Sequence, residues 1–258
     1  FNAVSLGLPE VQERFRSFGD FNRADVFQVA GGDLKANAAQ RLTWLASTVF
    51  LNRGDRFDPV ALPPEAQFAP AFGVCVADFD GDGSEDIFLN QNFFPVQPNA
   101  SRLDAGRGLL LRGDGAGGFT PVEADTSGLR IYGEGRGAAV ADFDHDGRAD
   151  LAVAQNGAST RLYRNTGARP GLRVRLRGRS LNPTAVGAAL RWISEHRQGP
   201  VREIHAGAGY WSQDGATVVL AVPDEARRIW VRWPGGRETT HEIPDGVREI
   251  SLTQPGGP

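Results

Sequence analysis

The sequence predicts an all-β protein: a stack of repeats, then a small β-sandwich, with one short helix near the N-terminus. Three observations predict it. A strand, acidic loop and strand occur twice in matched form; glycine-rich hairpin signals recur around them; and from about Pro170 apolar and polar residues alternate with period two.

The duplication is Val74-Cys-Val-Ala-Asp-Phe-Asp-Gly-Asp-Gly-Ser-Glu-Asp-Ile-Phe-Leu89 against Ala138-Ala-Val-Ala-Asp-Phe-Asp-His-Asp-Gly-Arg-Ala-Asp-Leu-Ala-Val153. Apolar runs flank each loop, as expected of buried strands. Phe50-Leu-Asn-Arg-Gly-Asp-Arg-Phe57, Leu110-Leu-Arg-Gly-Asp-Gly-Ala-Gly-Gly-Phe119 and Leu162-Tyr-Arg-Asn-Thr-Gly167 each place a short apolar strand before a glycine-rich turn, a hairpin signal. The repeating unit is thus strand, acidic loop, strand, connection and hairpin, the size of a propeller blade or a solenoid coil. Gly19-Asp-Phe-Asn-Arg-Ala-Asp-Val-Phe27 is a weaker match that lacks the middle of the loop, and the balance is against its being a true degenerate copy. Leu34, Ala38, Leu42 and Leu45 fall at helical spacing and predict a helix over 33–46.

In the tail, Leu172-Arg-Val-Arg-Leu-Arg-Gly178 and Ile229-Trp-Val-Arg-Trp233 alternate strictly and Val218-Val-Leu-Ala-Val222 is an apolar run, so strands with one wet face are expected. The resulting division is 1–47 (helix and weak repeat match), 48–168 (acidic-loop repeats) and 169–258 (β-sandwich).

Both loops read Asp-x-Asp-x-Asp-Gly-x-x-Asp. Alternate side chains of a tight loop point inward, so Asp78, Asp80, Asp82 and Asp86 converge, as do Asp142, Asp144, Asp146 and Asp150. The backbone carbonyls of Ser84 and Arg148 add a further oxygen each. Four carboxylates in nine residues repel one another unless a cation neutralises them. An all-oxygen cage suits calcium, whereas magnesium retains its waters; two calcium ions are therefore expected. Gly83 and Gly147 sit where the chain turns sharply.

A net charge of -3 offers no basic footprint for nucleic acid, and no apolar run is long enough to span a bilayer. Cys75, the only cysteine, sits in an apolar run and reads as a core residue. The chain begins at Phe1 and contains no methionine, which suggests processing or trimming of something longer. His145, His196, His205 and His241 lack metal-site spacing, and no nucleophile elbow, phosphate loop or dinucleotide fingerprint is present. No catalytic residues are expected. Tyr210, Trp211, Trp230 and Trp233 read as sandwich core with amphipathic rims rather than as a sugar-stacking platform. Arg53-Gly-Asp55 and Arg112-Gly-Asp114 fall where hairpin turns are needed, and Asn99-Ala-Ser101 is a glycosylation sequon.

The acidic loops, with Phe72-Gly73 and Asn156-Gly-Ala158, resemble the FG-GAP or VCBS repeats of integrin α-chain propellers and bacterial secreted proteins. Asn182, Val186-Gly-Ala188, Arg202-Glu-Ile-His-Ala-Gly-Ala-Gly-Tyr-Trp-Ser-Gln213 and Val231-Arg-Trp-Pro-Gly-Gly236 are similar to the ASPIC/UnbV domain. The resemblance implies a calcium-stabilised β-propeller, here partial, with an appended β-domain. It implies an extracellular or cell-surface structural or adhesive scaffold; because two repeats fall short of a closed ring, either further blades lie upstream or the open sheet edges pair with a protein partner or another copy. A natural-product biosynthesis enzyme or accessory protein, and a carbohydrate-binding module with a glycan partner, are the alternatives.

Overall fold

The computed structural model describes residues 1–31, 42–98 and 100–256. They form two compact units, Phe1–Ala46 with Pro95–Arg102, and Ser47–Phe94 with Leu103–Pro258. The predicted helix over 33–46 falls largely outside the described residues, and residues 42–46 are not helical. Asn99 also lies outside them.

The first unit contains helices α1 (Asn2–Gly7), α2 (Glu10–Arg14), α3 (Phe18–Arg23) and α4 (Val26–Val29). The Gly19–Phe27 segment, weakly matched to the repeat, is therefore largely helical. Its polar residues act as caps: Ser17 Oγ accepts from Asp20 N, and Asp25 forms a capping box with Gln28. Phe1, Phe15, Phe18 and Phe21 make edge-on and tilted ring contacts that the repeat pattern did not anticipate.

In the second unit, β1 (Thr48–Asn52) and β2 (Phe57–Ala61) form a hairpin turning at Gly54. A four-stranded antiparallel sheet follows in the order β3 (Ala71–Ala77), β4 (Asp86–Gln91), β5 (Leu109–Gly113), β6 (Phe119–Val122). After the short helix α5 (Ala124–Ser127), a three-stranded sheet repeats the plan with β7 (Glu134–Ala141), β8 (Asp150–Asn156) and β9 (Ala158–Tyr163). Chain order equals sheet order in both, as in propeller blades. The hairpin expected at Leu162 is instead the end of β9, after which the chain runs on into the tail.

Every residue of β4 is buried. Phe88 faces Cys75, Leu129, Ile131, Leu151 and Val153 between the two sheets, while Ile87 and Leu89 face Leu62, Ala66 and Leu111 on the other side. Strands β3 and β7 approach closely because Gly73 lacks a side chain: a Cβ there would lie 2.6 Å from the Arg136 carbonyl oxygen. Phe72 and Arg136 occupy matching irregularities in the two sheets and stack, guanidinium over ring at 4.2 Å. Buried Asn90 bridges the sheets, its amide donating to Gly137 O (3.0 Å) and Ala154 O (3.1 Å).

The tail is a two-layer sandwich. One sheet runs β13 (Thr217–Leu220), β10 (Leu172–Arg177), β16 (Glu249–Thr253); the other runs β12 (Arg202–Glu203), β11 (Ala189–Ile193), β14 (Arg228–Arg232), β15 (Glu238–Glu242). The inward positions of the alternating strands, Val174, Leu176, Ile229 and Val231, meet Leu190, Trp192 and Trp233 in one core. No helix among the described residues is long and apolar enough to cross a membrane.

Candidate metal centres in the acidic loops

The two loops share most of their hydrogen bonds, the first adding one from Gly81 N to Asp78 Oδ1 (2.7 Å). Asp78 Oδ1 accepts from Asp82 N (3.1 Å) and Asp142 Oδ1 from Asp146 N (3.0 Å); their Oδ2 atoms accept from Gly83 N (2.9 Å) and Gly147 N (3.0 Å). Asp82 Oδ1 accepts from Ser84 N and Asp146 Oδ1 from Arg148 N. At the far end, Asp86 accepts from Phe79 N and from Gly113 N, and Asp150 accepts from Phe143 N and from Asn165 N. Gly81 and His145 share a position with positive φ, 75° and 66°. His145 is exposed there.

One oxygen each of Asp78, Asp80 and Asp86 lies within 4.8 Å of the others, and the same holds for Asp142, Asp144 and Asp146. All six donors are carboxylate oxygens, which suits a hard cation, and both clusters are able to hold a metal ion. Asp82 lies outside the first close group and Asp150 outside the second.

Burial raises the carboxyl of Asp78 above its ordinary value, and that of Asp150 likewise. It pushes Asp86 up to about 6 and Glu85 up to about 7, although Arg202 pulls Glu85 the other way. In Asp146 burial also acts upward, but the hydrogen bond and charge of Arg148 overcome it and leave the group low. Because the folded values of Glu85 and Asp86 exceed their unfolded ones, the calcium-free fold holds protons that the unfolded chain has lost, and these two groups stabilise it less as pH rises from about 4.5 to about 7. Calcium takes only the deprotonated carboxylate. The rise in Tm on adding calcium is therefore expected to shrink between about pH 7.5 and 5.5; an increment independent of pH, by calorimetry against an EGTA control, would refute this.

The charge reading of the sequence missed the arginines. Arg112 Nε lies 2.7 Å from Asp80 Oδ2, and Arg164 makes the equivalent contact with Asp144 and reaches Asp146 Oδ2 at 3.4 Å. Arg148 Nη1 is 2.7 Å from Asp146 Oδ2. From the tail, Arg173 Nε donates to Asp142 Oδ2 (2.7 Å) and the same guanidinium pairs with Glu249. Arg202, also from the tail, lies 2.7 Å from Glu85 Oε2. A signal for two of them was present: Leu110-Leu-Arg-Gly113 and Leu162-Tyr-Arg-Asn165 put an arginine and a backbone donor at matching positions of the repeat.

That geometry accounts for Arg112-Gly-Asp114 without a receptor. Arg112 serves the acidic loop, Asp114 Oδ1 caps the turn through Ala116 N and Gly118 N, and a Cβ on Gly113 would meet the Glu85 carbonyl oxygen at 2.0 Å. Arg53-Gly-Asp55 is a hairpin tip whose Arg53 pairs with Asp58. Cys75 is buried, and burial, with a smaller push from Asp214, raises its thiol to about 12, so it is a core residue.

The tail docks on the blades along β7: Ser212 Oγ accepts from Ala138 N, Asp214 Oδ1 from Val140 N, and Gly215 N donates to Val140 O. A cavity of about 340 Å³ remains between them, lined by Asp78, Glu85, Asp142, Arg202, His205 and Asp214. Of the tail aromatics, Trp233 is core, Trp230 is half-buried beneath Arg191, and Tyr210 and Trp211 are exposed. The core reading thus fails for Trp211, which is 91% exposed at a φ of 49°, in a loop that Ala208 N closes onto Ser212 O and that Ser212 Oγ ties to Ala138 of β7.

Residues 100–153 match the family described as FG-GAP-like repeat, and residues 178–258 match ASPIC and UnbV. The chain carries an FG-GAP-like repeat and an ASPIC/UnbV domain. The FG-GAP match takes in the whole second loop, and the first, upstream of it, shares its hydrogen bonding. The chain is also similar to cartilage acidic protein 1: 27% identical over 251 residues to the Xenopus tropicalis protein and 27% over 252 residues to that of Homo sapiens, covering 95% of this chain each time. It spans 37% and 36% of the length of those relatives. The ASPIC/UnbV segment contains Arg202, whereas Arg173 lies just before the matched residues.

Proposed function

We propose that this chain is a non-enzymatic, calcium-binding structural part of an extracellular protein, with one ion in each acidic loop. The observation that carries the reading is the pair of loops that share most of their hydrogen bonds and have three clustered carboxylate oxygens each. Asp78, Asp80, Asp82 and Asp86, with the Ser84 carbonyl, form the first site; Asp142, Asp144, Asp146 and Asp150, with the Arg148 carbonyl, form the second. The ion supplies the positive charge that the clustered carboxylates lack, and the backbone donors hold each carboxylate's orientation. Loops of this type bind at about 10⁻⁴ to 10⁻³ M, a range filled outside cells. The likeness to cartilage acidic protein 1 supports an extracellular-type setting.

Partner contact or self-assembly through open edges has its own support. Val74 and Val76 of β3 are half-exposed, and almost all of β9 is exposed at the edge of its sheet. Strands with unpaired backbone groups and apolar neighbours recruit further strands.

Isothermal titration with calcium chloride, checked by metal analysis after desalting, tests the reading. Two ions per chain are expected. At about ten times Kd each adds roughly 1.4 kcal/mol to stability, a shift of a few degrees in Tm. Absence of heat and of a Tm shift at millimolar calcium would sink it.

A further inference from the structure

We propose that the two loops are unequal: the first depends on calcium for its charge balance, whereas the second is largely balanced by arginines of the chain itself. This rests on the calcium reading above.

The count of partners makes the difference. Around the second loop, Arg148, Arg164 and Arg173 contact Asp146, Asp144 and Asp142, three guanidiniums for five carboxylates once Glu249, which shares Arg173, is counted with the four of the loop. Around the first, Arg112 contacts Asp80 and Arg202 contacts Glu85, two guanidiniums for five carboxylates, since Glu85 stands where the second loop has Ala149. Position seven of the loop is Ser84 in one and Arg148 in the other, so the repeat itself carries the substitution.

Burial sharpens the contrast. Asp142 is fully covered and its partner Arg173 nearly so; the more buried arginine of the first loop, Arg202, serves Glu85, a carboxylate the second loop lacks, while Arg112 and Arg164 are equally exposed at 57% and screened by water. Asp142 Oδ2 is taken by Arg173 and Gly147 N, which leaves Oδ1 turned toward the loop interior. The second loop therefore keeps its shape without a metal ion, and calcium entering it meets positive charge already in place.

The test is calcium titration calorimetry on the intact chain and on reciprocal variants. The untreated protein is expected to bind in two unequal steps. Asp80→Asn removes the tighter step and Asp144→Asn the weaker. Arg148→Ser is expected to tighten the weaker step about fivefold and Ser84→Arg to loosen the tighter one by a similar factor. Arg164→Gln, at an exposed side chain, gives the same direction without disturbing the fold. Equal affinities, or swaps that leave both steps unmoved, overturn this inference and leave calcium binding standing. No binding at either loop overturns both.

Discussion

Phe88→Ala is expected to destabilise the chain by about 3–5 kcal/mol, the cost of emptying a fully buried aromatic site that cannot collapse. Phe88 has no exposed surface and is walled by Cys75, Ile131, Leu151 and Val153 from β3, the α5–β7 connection and β8. Strand β4 is fixed on its other face by Ile87 and Leu89, so the backbone cannot move in to fill the space. The same strand starts at Asp86, which places the core directly behind the first loop. Urea unfolding by circular dichroism checks the value; a loss below about 1 kcal/mol would mean that the two sheets do not share this core.

Arg173→Leu is expected to cost about 3–5 kcal/mol in EGTA, because removal of one member of a buried pair strands the other charge. Asp142 has no exposed side-chain surface and Arg173 is 10% exposed. The double variant Arg173→Leu with Asp142→Asn is expected to recover part of the loss, since the buried charge is gone too. A double-mutant cycle reads this directly: additive losses would show that Arg173 matters by packing alone. The Glu249 contact contributes less, because that carboxylate is half-exposed.

Much of this architecture was legible in the sequence because it repeats locally. The loops, their flanking strands β3, β4, β7 and β8, and the alternating tail strands follow from periodicity and turn chemistry over short stretches. Reading fell short where one pattern fits two structures. Gly19–Phe27 has the acids of a broken loop, yet Ser17 and Asp25 use the same residue chemistry to cap helices. Trp211 has the composition of a core residue and stands in solvent, in a loop tied to a distant strand.

Sequence alone determined that carboxylates gather in these two loops, since a nine-residue loop with its glycine at position six can bring them to one side by local turns, but not which three lie closest, Asp78, Asp80 and Asp86 in one and Asp142, Asp144 and Asp146 in the other. The tertiary structure alone decided what faces them. The alternation of β10 assigns Arg173 to the same wet face as Arg175, but only docking of the tail sets Asp142 over the first and leaves the second exposed. Charge balance in a buried loop depends on contacts between residues far apart in the chain, and spacing along the chain carries no record of them.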